Sequence, residues 1–536
     1  MTTYNRNASH SFAFLPQANC PRNLFDRSHD YKTTFDSGYL VPILIDEILP
    51  GDTVTLNNLS IFARINTLSV PVMDNLYMEC FAWFVPNRLV WNNWKRFMGE
   101  QDSPNSSTDY TVPLVQTPND GYTAHSLADY FGLPTGVKFN AVNALPFRMY
   151  NLIYNEWYKD ENLQTAATVS KGDGPDQPSA YPLRKRGKRK DYFTSALPWP
   201  QKGNGVSLPL GTTAPVKCSG NQNFQLYGNA NEAKVSLTTL NSTGYPMTAI
   251  NAQGNSVHSG VLKMLGSGET FNGLYADLHN ATAASISEFR HALQVQAFQE
   301  VDARHGTRYT ETIRGHFGVI SPDARLQRPE LLAVSSMMLD VNTVPQTSAT
   351  GDVTPQGNLA AFGTFNSNSG NALSFSKSFT EHGFLMILAN VRADLTYQQG
   401  IDRMWTRSTK YDYAWPILSN TSEQVVYNKE IYSDGTDADA GVFGYQERYA
   451  EYRYFPSKIT GKLRSSDSAS LDVWHLAQDF ESLPSLNSQF IEDDPPVDRI
   501  IAVQDEPQFV GDFYFDYVCA RPLPLFGIPA SLGVHL

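Results

Sequence analysis

The sequence predicts a mainly β protein whose strands are separated by long helical and loop insertions. Strand-like stretches lie near both ends of the chain, at 39–85, 383–397 and 509–519, with helical periodicity and Gly/Ser/Asn/Thr-rich loops between them. Charged residues are only 18% and aromatics reach 12%, with 36 Gly and 32 Pro. Such a chain is suited to burying large areas, in its own core or against other chains. Its 536 residues exceed one usual domain, so an α+β arrangement of two domains is the alternative.

Residues 1–38 are largely polar, with Asn5, Arg6, Asn7, Arg22, Arg27, His29 and Lys32, and read as an N-terminal arm or a mobile terminus. Segment 39–202 opens on YLVPILIDEIL (39–49), an apolar β-branched strand closed by Pro50-Gly51-Asp52. Val54–Ile65 follows as a second strand. In LYMECFAWFV (76–85) nearly every residue is apolar, as in a sheet covered on both faces. Glu79 is the exception and needs a partner if buried. Short helices are predicted at 87–99 and 126–132. A longer one is predicted over 145–163, with Pro146 in its first turn and Phe147, Tyr150, Tyr154 and Trp157 as a packing stripe.

Segment 203–284 is low in charge and rich in Gly, Asn, Ser and Thr, and reads as an insertion of short strands and loops projecting from the main domain. Segment 285–536 begins with a helix. Ser285 and Glu288 have capping-box spacing, Ile286, Phe289, Leu293, Ala297 and Val301 form an apolar stripe with Phe298 beside it, and Gly306 ends the run. GFLMILANVRADLTY (383–397) and Phe509–Cys519 are strands, the latter alternating Phe513, Phe515, Tyr517 and Cys519 against Asp512, Tyr514 and Asp516. The tail from Arg521 carries three prolines in nine residues and is extended.

Two groups of polar residues are candidate sites. Arg304, His305, Arg308, Glu311, Arg314, His316, Asp323, Arg325, Arg328 and Glu330 mix both charge signs closely. His, Glu and Arg are residues of proton transfer and oxyanion holding, but no nucleophile or metal spacing accompanies them. A cluster of ion pairs locking a loop against neighbouring chain or subunits is the favoured reading. The second group is Arg184, Lys185, Arg186, Lys188, Arg189 and Lys190, flanked by Tyr181, Tyr192 and Phe193. Six cations beside rings suit phosphates and bases of single-stranded DNA; a solvated loop, or pairing with acids, is the other possibility. With a net charge of −12, contact with nucleic acid is confined to local patches.

No hydrolase, nucleotide-binding or zinc motif is present, and neither a cofactor nor a metal is expected. Glu492-Asp493-Asp494 offers oxygen ligands for Ca²⁺, but reads first as a solvated acidic turn. Cys20, Cys80, Cys218 and Cys519 are far apart and read as free thiols. Met1–His10 has no apolar core of a secretory signal, and the run around Phe384–Ala389 is too short to span a membrane, so a soluble chain made in a cytoplasm is expected.

The stretch ARHGTRYTETIRGHFGVISPDARLQRPELL (303–332) closely resembles the central motif of Microviridae major capsid proteins, the gokushovirus group in particular. LPFRMYNLIYNEWYKDENLQ (145–164), DYFTSALPWPQKG (191–203), LDVWHLAQDFESLPSLNSQFIEDDPPVDRIIAV (471–503) and the tail GDFYFDYVCARPLPLFGIPASLGVHL resemble the same family, nearly end to end. The resemblance implies an eight-stranded viral jelly-roll β-barrel with extended loops, and a non-enzymatic subunit of a small T=1 icosahedral shell around circular single-stranded DNA. It implies a homo-oligomer located in the virion and assembled in the host cytoplasm, without membrane insertion. It also implies an internal scaffolding protein, a minor pilot protein and a small basic DNA-binding protein as partners. Segment 203–284 would then form a surface protrusion facing a bacterial host receptor. The reading from another class is a β-rich glycan-binding or glycan-cleaving protein, since aromatics and close carboxylates also suit sugars.

Overall fold

A computed structural model of the chain describes residues 22–203, 205, 286–304, 315, 326–345, 359–366, 372–421 and 423–526, with short strand pieces between 216 and 276. The chain divides into two compact units, Met1–Pro200 with His305–Leu536, and Gln201–Arg304.

The first unit is built on β1 (Asn23–Asp26), β2 (His29–Phe35), β3 (Val41–Ile48), β4 (Thr53–Ile65), β5 (Leu76–Pro86), β6 (Glu330–Met338), β7 (Asp340–Pro345), β8 (Leu359–Asn366), β9 (Leu373–Ser378), β10 (Gly383–Ala393) and β11 (Phe509–Arg521). Seven of them form one antiparallel sheet. Its centre is β11 against β4; β1 and β2 pair along β11, β8 and β9 along β4, and β7 edges β8. The other sheet is β6–β5–β10–β3, also antiparallel. Only Leu339 separates β6 from β7, so one bent strand passes from sheet to sheet. With β6–β7 taken as one strand, and β1–β2 and β8–β9 as interrupted single strands, the sandwich has the eight strands of a jelly roll. Among the described residues no ladder closes the two sheets into a barrel.

Alternating burial along β4 and β11 explains the core. Val54, Leu56, Leu59, Ile61, Ala63 and Ile65 of β4 and Phe509, Phe513, Phe515, Tyr517 and Cys519 of β11 face Leu76, Met78, Cys80, Ala82 and Phe84 of β5 in one cluster. The opposite side of β5, with Phe81, Trp83 and Val85, packs under a helical layer that includes α1 (Leu145–Ile153). Strand β5 is therefore covered on both faces, as its unbroken apolar run requires. Residues predicted as one helix over 145–163 end earlier: α1 passes into a single π turn at Tyr154–Tyr158. The stripe persists through Phe147, Tyr150 and Tyr154, all buried, while Trp157 is partly exposed.

One expectation is corrected. Residues 23–35, read as part of an arm, are strands, because Tyr31 and Phe35 face inward against Phe513 and Phe509 while Asp30 and Lys32 face out. Composition hides so short a half-buried strand, since only every second residue is apolar. The predicted helix after residue 285 is α2 (Ile286–Arg304), in the second unit. It forms where the capping signals predict, and Phe289 and Leu293 of its stripe, with Phe298, are exposed. Periodicity identifies an apolar face without identifying what covers it. Ser285 and Gly306 lie outside the described residues. The described parts of segment 203–284 include three short antiparallel pairs, Gln225–Tyr227 with Lys234–Ser236, Ala249–Ile250 with Ser256–Val257, and Val216–Cys218 with Leu274–Ala276.

Candidate functional site

The basic run lies across the outer side of β5 and β10 as an extended tie. Its backbone is joined on one side to the chain entering β3, where Arg186 N donates to Gly38 O at 2.8 Å and Leu40 N to Arg184 O at 2.9 Å. On the other side Lys188 N donates to Ile491 O at 2.7 Å and Asp493 N to Arg186 O at 2.8 Å. Beneath it lies the aromatic stripe of α1 and the π turn. The Tyr150 hydroxyl donates to Leu40 O and accepts from Arg184 N at 3.0 Å, while the rings of Tyr154 and Tyr158 sit under Arg184 and Arg186 at 5.0 and 5.4 Å.

Each of the six cations has a partner within the chain. Arg186 pairs with Glu79, and Arg189 reaches Glu79 and Asp394, both at 2.9 Å. Lys185 pairs with Asp494 at 2.8 Å and Lys190 with Asp160. Arg184 Nε donates to Asn151 Oδ1 at 3.3 Å. Lys188 is buried, with Nζ 4.5 Å from the centre of the Phe490 ring. Burial pushes its ammonium below the usual lysine value, opposed by the charge of Asp493.

Glu79 is the hub. It lies 7% exposed on β5 and also receives Arg392 of β10 at 3.0 Å. Burial pushes its carboxyl up, but the charges of Arg186 and Arg392 outweigh burial and hold it below the ordinary glutamate value. The lone acid in an apolar strand thus finds three guanidiniums. Asp493, 1% exposed, behaves oppositely: burial pushes its carboxyl up to about 7 against the opposing charges of Arg392 and Lys188. Of the proposed Ca²⁺ triplet, Asp493 is buried and Asp494 is held by Lys185. Among the described residues no three His, Cys, Asp or Glu side chains converge on a metal position.

Of the central motif, His305, Arg308, Glu311, Arg314, His316, Asp323 and Arg325 lie outside the described residues. Arg304 ends α2, with its side chain exposed. Arg328 stacks on Trp157 at 4.7 Å, and Trp157 Nε1 donates to Pro329 O at 3.1 Å. Glu330 pairs with Lys377 at 2.7 Å. The motif's end is therefore fixed to the π turn and to β9.

Sequence reasoning missed a second ionic centre. Arg148 on α1 is wholly buried and grips Asp176 through Nε at 2.7 Å and Nη2 at 2.8 Å. Its Nη1 donates to the carbonyls of Val90 and Gly172, and Tyr181 donates to Asp176 at 2.5 Å. An Arg inside an otherwise aromatic-apolar helix was the available signal.

The sandwich is held by buried ion pairs that join distant stretches of the chain. A family described as "Capsid protein (F protein)" matches residues 13–531. The chain belongs to this phage capsid family. It is 46% identical to "Capsid protein VP1" of Bdellovibrio phage phiMH2K, over 99% of both chains. Identity is 41% to the VP1 of Chlamydia phage 1 and 37% to that of Spiroplasma virus 4, each over 97% of both chains. The resemblance drawn from 303–332 and its companion stretches is borne out: these relatives are gokushoviral, and this capsid protein is a structural component of the virion. No helix among the described residues is long and apolar enough to cross a membrane.

Proposed function

We propose that this capsid protein is the repeating unit of a small T=1 icosahedral shell that encloses circular single-stranded DNA. Similarity over essentially the whole chain to three capsid proteins carries the reading, because both sheets and the long loops are then shared with chains named for that role. Copies tile by burying apolar surface, sorted by charge and shape. Expression of the full chain with its phage's other proteins, followed by size-exclusion chromatography and electron microscopy, tests this. Closed megadalton particles are expected, and a lasting monomer refutes it.

The finer parts of the reading are proposed with it. An internal scaffolding protein and a minor pilot protein assist assembly, and a small basic DNA-binding protein supplies counter-charge that a chain of net charge −12 lacks. Segment 203–284 meets the host surface. For Arg184–Lys190 the geometry favours a structural tie over contact with phosphate, since each cation is engaged within the chain. The central cluster around Arg304–Arg328 is assigned to subunit contacts.

A further inference from the structure

We infer that the exposed aromatic face formed by residues 401–418 and 449–456 is a contact between copies of this chain. The inference deepens the shell reading by naming a surface for it. Trp405, Ile417 and Phe455 are 73%, 86% and 82% exposed, and Trp415 and Tyr452 are about half exposed. The two stretches form one surface. Arg407 lies between the rings of Tyr413 and Tyr452 at 5.4 and 4.3 Å, and Ala414 N donates to the Tyr452 hydroxyl at 3.3 Å. Trp405 and Pro456 line a common cavity.

The face is held rigid from below. Arg403 pairs with Glu430 at 3.1 Å and Arg407 with Glu451 at 3.4 Å. Asp412 accepts from the backbone N–H groups of Ser408 and Thr409. Trp415 Nε1 donates to Lys410 O at 2.7 Å, fixing the indole. Large side chains that are pre-set in this way lose little entropy on docking.

Three observations select a second copy as the occupant. Aromatic side chains offer roughly 150–250 Å² each, so this face presents on the order of 800 Å², the share of one partner in a standard interface. A contiguous apolar patch of that size is larger than isolated soluble chains ordinarily leave in water. Arg403 and Arg407 beneath it are matched to Glu430 and Glu451, and Lys410 and Lys458 lie over the Tyr411 and Phe455 rings at 5.0 and 5.1 Å, but Met404 and Ile417 are aliphatic and Ile417 is its most exposed member, whereas a track for single-stranded DNA is a groove lined with cations throughout.

The test uses the full chain with its phage's other proteins. In the double variant Ile417→Ser with Phe455→Ser, the subunit's melting temperature should stay at the wild-type value while particle yield falls about tenfold or more. Wild-type yield from the variant overturns the inference, as does normal yield of shells that have lost only their DNA. Hydroxyl-radical footprinting of the unmodified protein covers the case of a variant that fails to fold. Oxidation of Trp405 and Phe455 should drop severalfold in DNA-free shells relative to dissociated subunits, and equal oxidation overturns the inference. Absence of particles from the wild type itself would instead sink the shell reading on which this one rests.

Discussion

Replacing Glu79 by Gln removes the one carboxylate shared by Arg186, Arg189 and Arg392 while keeping the side chain's shape. The glutamate side chain is 9% exposed, and those of Arg186 and Arg392 are 15% and 11%, so solvent screens these pairs little. Arg189, at 30%, is screened more and also keeps Asp394. Breaking a buried ion pair from one side costs about 3–5 kcal/mol, because the opposite charge stays buried without compensation. With an unfolding entropy of about 2.1 cal/mol/K per residue, a chain of 536 residues melts with roughly 1.1 kcal/mol/K. A loss of about 4 kcal/mol then lowers Tm by roughly 4 °C. The assay is calorimetry on dissociated subunits. The sign with pH follows from the depressed carboxyl: its stabilisation is fully present above the unfolded value of about 4.3 and is lost as pH falls through the lower folded value. The gap between wild type and E79Q should stay open from pH 8 to 5 and close in stronger acid. A Tm within 1 °C of wild type at pH 7 would refute the hub.

Arg148→Lys cannot reproduce the two-point grip on Asp176 and should destabilise by about 3 kcal/mol or more, read by urea unfolding; an unchanged midpoint refutes it. Gly38 has φ +79° and a Cβ there would lie 2.0 Å from Asp493 O, so Gly38→Ala should cost on the order of 3 kcal/mol and loosen the tie, seen as faster amide exchange at Arg186 and Lys188. Asp493 titrates in the opposite sense to Glu79: its folded pKa is raised to about 7, so it favours the fold in acid, and that stability is lost as pH rises from about 4 towards 7. Asp493→Asn should flatten this part of the Tm–pH profile, and an unaltered slope counts against it. Lys185→Gln with Lys190→Gln should leave the DNA content of purified particles unchanged, whereas a marked fall would return the run to phosphate contact. Deleting 206–282 should give assembled particles that no longer adsorb to host cells; loss of assembly would refute the surface role.

What the sequence made legible follows from how local each signal is. Alternation over β11 and the apolar runs of β5 and β10 need only neighbouring residues, and those strands, with β4, lie within a few residues of expectation. Glu79 stood out because a lone acid in an apolar strand is costly without a partner. Its partners were not legible. Arg186, Arg189 and Arg392 come from two distant stretches, and the acids answering the basic run sit at 79, 160, 394 and 494. Six cations in a row look the same whether they meet phosphates or carboxylates, since local charge does not encode what the fold places opposite it. The same gap holds for α2, whose sequence gives an apolar stripe but not what, if anything, covers it.

The arrangement of charge and rings has one further consequence. The basic run, the α1 stripe and the β3 entrance are three distant pieces of chain, and Lys185, Arg186 and Arg189 of the run lie on Tyr39, Phe81 and Tyr77 as well as on acids. A cation held by both a ring and a carboxylate is fixed in position by two unlike forces, one weakly sensitive to salt and the other screened by it. That combination suits a part that must keep its shape in media of varying ionic strength. It also removes these cations from the charge available to a polyanion. In the proposed shell, a chain of net charge −12 would leave neutralisation of the enclosed DNA to small ions or a basic partner.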